Sequence, residues 1–273
     1  MPVYSPSTLR AAELKQLFGV YGDFYQVVLG GQPFGCRCVL ELIAHADTPA
    51  DLNDLHNRQP DLLVIMMNPG SSKPLTPGFS PRRVGAEGAG AHPTRVPTRP
   101  DNTQYQIMRI MAAQSWHHAR VLNLSDLREP KSLQLIKTLD GLRSVTDGER
   151  HSLFCPARTA ERQQLMGPVG AIPVLVGWGR DGHLRPLAEQ CLRSLKGWRL
   201  IGVPVDDEGV FYAHPSPMLQ QKKDQWLAAV LAQLVNPHKG AAAPLLLAAL
   251  RPVWAGHPPH PITTDPTREQ GSG

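Results

Sequence analysis

Two short polar motifs, each following an apolar run, carry the residue types in this chain that are best suited to catalysis. The run at 64–67 ends in Asn-Pro-Gly-Ser-Ser at 68–72, and a strand-like run at 209–213 ends in His-Pro-Ser-Pro at 214–217. In an open parallel sheet, ligands bind at the carboxyl ends of the strands. We therefore expect an amide from the first turn and an imidazole from the second to belong to one site.

The elements that must position these turns alternate between strands and helices along the chain. A helix capped by Ser7 and ending near Phe18 precedes two strand-like runs, which are expected to form a hairpin around Gly30 and Gly31. Further strands are predicted at 61–67, 119–124, 172–177 and 200–203, and helices at 102–114, 132–139, 156–166, 182–195 and 220–235. This alternation predicts an α/β fold with three layers, doubly wound around a mainly parallel four-stranded sheet, with the N-terminal helix and hairpin as an extension.

Three segments are expected along the chain. Residues 1–59 hold the helix and hairpin packed on the core, residues 60–235 form the main domain, and residues 236–273 form a partly disordered C-terminal extension. Inside the main domain, a loop at 73–101 is rich in proline, glycine and arginine. A loop of this length is too long to be only a connector, so we expect it to have a function.

Charge and composition narrow the classes of partner and compartment. The formal net charge of +5 and the pI of about 9.2 favour a polyanionic partner. No apolar stretch reaches the roughly 20 residues of a membrane span, and the N-terminus lacks a signal-peptide pattern. Four cysteines in 273 residues do not indicate a disulfide scaffold. We therefore expect a cytoplasmic protein with no membrane contact, and a monomer.

Cysteine spacing gives no clear metal motif. Cys36 and Cys38 lie in an alternating run with Leu40 and Leu42, so both thiols are predicted to point to one strand face. Buried thiols are favoured over an iron–sulfur or zinc site. The sequence also lacks a phosphate-binding loop, a dinucleotide-binding glycine motif, a hydrolase serine elbow and a His-Glu-x-x-His motif. We accordingly expect neither a metal nor an organic cofactor.

The order of the strand-end motifs resembles that of the uracil-DNA glycosylase superfamily. The Asn68 turn is followed by Phe79, then by Asn123 at a strand end, then by an apolar strand ending in Trp-Gly at 178–179, and finally by His214 in His-Pro-Ser-Pro. The first motif is most similar to the mismatch-specific and thymine-DNA glycosylase branch, and the last is similar to the uracil-specific branch. The similarity covers about residues 60–235. It implies a uracil-DNA glycosylase-like catalytic domain there.

The resemblance implies a role for each of four residues in cleaving an N-glycosidic bond. Asn68 would orient a water, and His214 would donate a hydrogen bond to a base carbonyl as charge develops on it. Asn123 would read the pyrimidine edge, and Phe79 would stack on the flipped base. Structural roles are the alternatives: a turn-forming Asn before Pro, a structural His, a capping Asn and a loop anchor.

A second set of residues would hold DNA. Ser71, Ser72 and Ser216 could grip phosphates, although serines at such positions also cap helices. Met218 or Leu219 stands where the family inserts an apolar wedge into the duplex, or else begins the core face of the last helix. Basic residues would supply backbone attraction, or be ordinary solvated surface; they are Arg82, Arg83, Arg95, Arg99, Lys222 and Lys223.

Gly70 bears on the substrate. Uracil-specific enzymes place a bulky aromatic residue at the matching position, whereas glycine leaves that pocket wall open to groups on pyrimidine C5. The leading hypothesis is a monofunctional DNA glycosylase that removes a flipped, C5-modified pyrimidine and leaves an abasic site. Its role would be repair, or defence against phage DNA with hypermodified cytosine. The alternatives are a nucleoside or nucleotide hydrolase, and a non-catalytic nucleic-acid-binding module of the same fold.

Overall fold

The computed structural model describes residues 9–85 and 94–235, and eight strands and six α-helices form within these ranges. The strands are β1 Phe18–Leu29, β2 Gln32–Ala44, β3 Leu62–Met66, β4 Arg82–Val84, β5 Arg95–Pro97, β6 His118–Asn123, β7 Pro173–Val176 and β8 Arg199–Ile201. The helices are α1 Ala11–Leu17, α2 Asn102–Gln114, α3 Ser132–Leu142, α4 Thr159–Met166, α5 Arg185–Ser194 and α6 Gln220–Val235. Short 3-10 turns lie at His45–Asp47, Leu52–His56, Gly148–His151, Pro156–Arg158 and Gly182–Leu184. No helix in these ranges is long and apolar enough to cross a membrane.

All eight strands belong to one mixed sheet. Its order is β4-β1-β2-β6-β3-β7-β8, and β5 also pairs with β1. Strands β6, β3, β7 and β8 are parallel to one another, and β2 joins them by pairing antiparallel with β6. The α/β class with a largely parallel core is confirmed. The four predicted parallel strands are all found, but the whole sheet has eight strands, because the hairpin and two short loop segments extend it.

The two short strands β4 and β5 come from sequence that shows little of the alternation that predicts a strand. Strands β4 and β5 have three residues each, too few to show the alternation of polar and apolar residues that marks a strand. Both arise from the 73–101 loop and cover the outer edge of β1, β4 in parallel and β5 antiparallel. The predicted hairpin is confirmed, and Gly30 and Gly31 adopt φ of +56° and +77° at its tip. Two successive positive φ values suit the twist of a two-residue hairpin turn.

Helices pack against the sheet from two directions. Leu63 and Ile65 of β3 join a large core cluster with side chains of α3, α4 and α5. Leu62, Val64 and Met66 alternate with them and are also buried, but they do not belong to that cluster. Helices α2 and α6 contact each other, and they contact β6 and β8, respectively. This arrangement is compatible with three layers. We call the side of the sheet opposite the α3–α5 cluster the site face.

A β-bulge in β2 breaks the alternation that the sequence predicts. Gly22 pairs with Leu40 but Phe24 pairs with Arg37, so β2 carries one more residue than β1 between these pairs. Cys36 and Cys38 consequently join the α3–α5 cluster, whereas Leu40 and Leu42 are buried outside it. The prediction that both thiols share one strand face is confirmed, although the alternation does not continue to Leu40 and Leu42. All four cysteines are buried free thiols.

Most predicted helices and core strands are found within a few residues of their expected bounds, and α2 and α6 match theirs. The predicted strand at 209–213 is not one. Its chain instead folds back on the segment after β8, with hydrogen bonds from Val205 N to Phe211 O (3.0 Å) and from Ala213 N to Val203 O (2.7 Å). The N-terminal cap Ser7 and the extension at 236–273 lie outside the described residues.

A buried carboxylate joins three parts of the sheet. Glu41 of β2 accepts hydrogen bonds from Arg95 of β5 (3.0 Å) and Arg120 of β6 (3.0 Å), and its other oxygen contacts His118 Nε2 at 2.8 Å. The side chains of Glu41 and Arg95 are fully buried. Burial alone would raise the pKa of Glu41, but Arg120, His118 and Arg95 outweigh it and hold this pKa well below its usual range. The carboxylate therefore stays charged and neutralises the cations around it.

We expect Glu41→Gln to destabilise the fold by about 3–5 kcal/mol, because it leaves buried guanidinium groups without a counter-charge. The free energy of unfolding, from chemical denaturation followed by circular dichroism, measures the effect. Glu208→Gln is the matched control, since Glu208 pairs with Arg185 but is 66% exposed, and we expect little change there. Equal small effects in both variants would show that the Glu41 cluster does not stabilise the fold.

Candidate functional site

Asn68 lies just beyond the carboxyl end of β3 and ties that end to the loop after β6. Its Nδ2 amide donates hydrogen bonds to the carbonyls of Leu127 (3.0 Å) and Glu129 (2.8 Å). The side chain therefore has a structural role. Its Oδ1 accepts none of the hydrogen bonds found among the described residues, so it can still accept one from a water. The amide bonds would hold that oxygen in a fixed direction.

The turn that follows Asn68 is open on one side. Gly70 adopts φ +58°, and no atom outside its immediate neighbours lies within 4 Å of the point where a Cβ would stand. The glycine thus serves both the left-handed turn and an open wall. Ser71 is exposed, whereas Ser72 is buried and its Oγ has no hydrogen-bond partner in the described part of the chain.

Asn123 is the last residue of β6 and is completely buried. Neither Nδ2 nor Oδ1 has a hydrogen-bond partner within residues 9–85 and 94–235. Its neighbours Leu122 and Leu124 belong to the α3–α5 cluster, so Asn123 points to the site face. A buried amide is destabilising by a few kcal/mol unless water or a ligand satisfies it, which makes this side chain the first candidate for a ligand contact.

Two side chains hold the loop that carries His214. Gln106 of α2 donates through Nε2 to the carbonyl of Pro215 at 3.3 Å, and Trp226 of α6 donates through Nε1 to the carbonyl of Ala213 at 3.1 Å. Both donors are buried. Helices α2 and α6 therefore fix the backbone on either side of His214.

The same loop lies against the end of β7. A Cβ built on Gly177 would stand 3.1 Å from Cδ of Pro215, which is closer than most real contacts, so a larger residue there would require the Pro215 loop to shift by a few tenths of an ångström. The next residue, Trp178, is buried and donates through Nε1 to the carbonyl of Val210 (3.0 Å). Its ring makes an edge contact with Tyr212, with centroids 5.4 Å apart. The Trp-Gly motif is thus a packing element that supports the His214 loop.

The ring of His214 is set to act as a neutral donor. Its Nδ1 accepts a hydrogen bond from the backbone amide of Ser216 at 3.2 Å. Burial lowers the pKa of His214 and outweighs the opposite effect of Asp101. The ring is therefore neutral at neutral pH, and with Nδ1 as acceptor the proton must reside on Nε2. Such a ring can donate a hydrogen bond to an oxygen without first losing or gaining a proton.

Phe79 packs beside Phe24 of β1, on the side of the sheet order away from β7 and the His214 loop. Its ring meets that of Phe24 edge-on, with centroids 6.1 Å apart. The guanidinium of Arg128 lies 5.1 Å from the Phe24 ring centroid and donates to the carbonyl of Ser72 at 2.9 Å. This chain of contacts connects Phe79 to the turn that begins with Asn68. Phe79 is half-buried, so part of its ring can still meet a ligand.

Sequence reasoning missed two residues of this region, Arg37 and Asp101. Arg37 is fully buried between Cys36 and Cys38, and no sequence pattern marks it as other than a strand residue. Asp101 caps α2, and its Oδ1 accepts from the amide of Thr103 at 2.7 Å. The Asp-x-x-Gln pattern before α2 indicates this cap from sequence alone. The carboxylate of Asp101 acts on both Arg37 and His214, raising the pKa of each against the larger effect of burial.

Asn68, Asn123 and the loop of His214 lie near the ends of three adjacent strands. Asn68 and Asn123 follow the adjacent parallel strands β3 and β6, so they lie at one edge of the sheet. The loop of His214 reaches the end of β7, the strand on the other side of β3. This edge, between neighbouring strands with helices on either side, is the region where open α/β sheets bind ligands.

Two of the predicted DNA-contacting arginines are engaged inside the protein. Arg95 is buried against Glu41, so the prediction that it contacts phosphates is wrong; its strand carries it inward as the counter-charge of a carboxylate. Arg82 forms two hydrogen bonds to Asp23, at 3.1 and 2.9 Å, and is mostly buried. Arg83 and Arg99 are exposed.

The start of α6 presents an apolar tip. Met218 is 99% exposed and Leu219 is 61% exposed, so neither begins the core face of the helix. The core face begins later, at Trp226. Ser216 and the lysines Lys222 and Lys223 are half-buried around this tip. Single exposed apolar residues are common at protein surfaces, and Leu133 and Val169 are exposed as well, so the wedge stays a prediction.

A cavity of about 250 Å³ lies elsewhere, between α3, the 148–151 turn and α5. Leu142, His151, His183 and Leu187 are among its lining residues, and none of the predicted site residues lines it.

Comparisons of the chain with known protein families, with curated proteins and with solved structures find no match. The candidate site is therefore assigned from its own geometry.

We expect the two strand-end asparagines to respond in opposite ways to replacement by leucine. Asn123→Leu should leave stability unchanged or higher, since it removes buried polar atoms that have no partners. Asn68→Leu should lower stability by roughly 1–3 kcal/mol, since two carbonyls lose their donor. Chemical denaturation of both variants tests this contrast. A large loss in Asn123→Leu would mean that Asn123 stabilises the protein without a ligand.

Proposed function

We propose that this protein is a DNA glycosylase of the uracil-DNA glycosylase-like fold, which hydrolyses the N-glycosidic bond of a flipped pyrimidine and leaves an abasic site. The observation that carries the proposal is the buried amide of Asn123, which has both a donor and an acceptor without partners at the sheet edge. The edge of a pyrimidine offers complementary donors and acceptors at hydrogen-bonding spacing. A base is therefore a ligand that could satisfy this amide.

The neighbouring residues have the chemistry that base release requires. In hydrolysis the bond between C1′ and the base nitrogen breaks, and its electron pair leaves with the base. The oxygen of a water joins C1′, and one proton of that water ends on the base. The sugar passes through an oxocarbenium-like state. Oδ1 of Asn68 would orient the water, and Nε2–H of neutral His214 would donate to the base oxygen on which negative charge develops.

Two features favour a polymer substrate over a free nucleoside. The exposed Met218 lies two residues beyond Ser216, in the loop that carries His214, where an apolar side chain could fill the space left by a flipped base. Arg83 on β4 and Arg99 after β5 are exposed. A nucleoside hydrolase would need neither feature. A non-catalytic binding module would need both, but it would not need a positioned water acceptor or a neutral imidazole donor.

The open turn at Gly70 bears on which pyrimidine is bound. Because no atom fills the space beside this residue, a group on C5 of the base would meet no wall there. A C5-modified pyrimidine is therefore the favoured substrate, in damaged cellular DNA or in foreign DNA with modified bases. The protein would act as a monomer in the cytoplasm and without a cofactor.

The test is cleavage of a panel of oligonucleotides, each with one modified pyrimidine, read as strand breaks after alkaline treatment of abasic sites. We expect wild type to release at least one C5-modified base. His214→Ala should slow that release by roughly 100-fold or more, as for loss of one oxyanion donor, and Asn68→Ala by at least as much.

His183→Ala is the matched control for this experiment, because His183 is exposed on a turn before α5 and far from the His214 loop in sequence. Its rate should equal that of wild type. Folding of each variant is checked by circular dichroism. The proposal fails if wild type releases no base from any oligonucleotide, or if both site variants retain the wild-type rate.

A second prediction concerns backbone binding by the two exposed arginines. Arg83→Gln together with Arg99→Gln should weaken binding to duplex DNA of any sequence, since phosphate contacts do not read bases. The slope of log affinity against log salt should flatten by about 0.9 for each phosphate that the variant no longer neutralises. Fluorescence anisotropy with labelled duplexes measures this slope. Arg193→Gln on α5 should leave it unchanged, and an unchanged slope in the double variant would assign these arginines to ordinary surface.

A further inference from the structure

Arg37 is a fully buried cation with two N–H groups that lack partners. Its side chain is 1% exposed, and neither Nε nor Nη1 has a hydrogen-bond partner in the described ranges 9–85 and 94–235. Burial lowers the pKa of this guanidinium to about 10, so it remains charged at neutral pH. Buried donors on a charged group are strongly unfavourable unless an acceptor is supplied. Because guanidinium has donors only, that acceptor must be an oxygen or another electron-rich atom.

The bulge in β2 turns Arg37 toward the candidate site. Cys36 and Cys38 both belong to the α3–α5 cluster, so Arg37 between them points to the site face, as Asn123 does. Its ladder partner is Phe24, whose ring contacts Phe79. Strands β2 and β6 are neighbours in the sheet, which places Arg37 on the strand next to that of Asn123.

A plain pyrimidine edge does not supply acceptors for both N–H groups of Arg37. Positions 2, 3 and 4 of the ring carry three polar groups. Placed with the oxygen at position 2 toward His214, a base would present positions 3 and 4 to the amide of Asn123. A carbonyl oxygen at position 4 would then keep one lone pair. At most one N–H group of Arg37 would use it, so the other would need an acceptor outside the ring edge.

The order of the strands indicates where those atoms lie. Arg37 on β2 and the His214 loop beside β7 lie on opposite sides of Asn123, because the sheet runs β2-β6-β3-β7. Around the ring, position 5 follows position 4 on the side away from position 2. A base with position 2 toward His214 and position 4 at Asn123 therefore directs its C5 substituent toward Arg37.

We propose that Arg37 is a specificity-determining residue, which donates hydrogen bonds to oxygen atoms of a C5 substituent on the flipped pyrimidine. The substituent carries hydroxyl or carboxylate oxygens, so a 5-methyl group does not satisfy the site. This inference rests on the proposed glycosylase function and names the class of base within it. A site built around buried donors rejects an analogue that lacks the matching oxygen far more strongly than an apolar pocket rejects a change of size.

The experiment compares oligonucleotides that differ only in the C5 group. The bases are thymine, 5-hydroxymethyluracil and 5-carboxyluracil, with 5-methylcytosine, 5-hydroxymethylcytosine and glucosylated 5-hydroxymethylcytosine as the second series. We expect wild type to prefer an oxygen-bearing base over its methyl counterpart by at least 10-fold in kcat/KM. Arg37→Met keeps the length of the side chain but removes its donors, and it should bring this ratio close to one. Arg193→Met on the exposed face of α5 should leave the ratio as in wild type.

Thermal unfolding of the same variant separates a substrate contact from a structural role. Arg37→Met should melt no lower than wild type, since it removes a buried charge without hydrogen-bond partners at Nε and Nη1. A lower melting temperature, or equal losses on methyl and oxygen-bearing bases, would overturn the role of Arg37 and leave the glycosylase assignment intact. If wild type releases no base of either series, both proposals fall together.

Discussion

The buried carboxylate of Glu41 is the interaction on which the rest of this architecture depends. It lies on β2, and it neutralises Arg95 of β5 and Arg120 of β6, whose side chains are at most 1% exposed. Arg120 also donates to backbone carbonyls before β3, including that of Leu55. The ion cluster thus joins the antiparallel part of the sheet to the parallel part. It also holds the segment that leads through β5 into Asp101 and helix α2.

Helix α2 connects the segment that the Glu41 cluster holds to the candidate site. Its first turn is capped by Asp101, whose carboxylate acts on Arg37 and His214, and its middle turn presents Gln106 to the loop of Pro215. Helix α2 therefore positions both the carboxylate of Asp101 and the loop that carries His214. A rigid element that holds several groups of a site is a more accurate support than separate flexible loops.

The site face is polar where a stable core would be apolar. Asn123, Arg37 and Ser72 all keep buried polar atoms without partners among the described residues. Each such group lowers the stability of the protein when no ligand is bound. By contrast, the buried charges around Glu41 are paired, although Nη1 and Nη2 of Arg95 there also lack a hydrogen-bond partner in the described ranges. The Glu41 cluster therefore differs from the site face in its paired charges.

Local patterns in the sequence were enough to determine the α/β class, the helices α2 and α6, the hairpin turn and the strand ends that carry Asn68 and Asn123. These features depend on periodicity and turn chemistry within a few residues. The tertiary structure alone decided that Arg95 is a buried counter-charge, that loop residues add two strands, and that Arg37 faces the site. Each of these depends on pairing between distant segments, because a single bulge opposite β1 reverses which β2 side chains point inward.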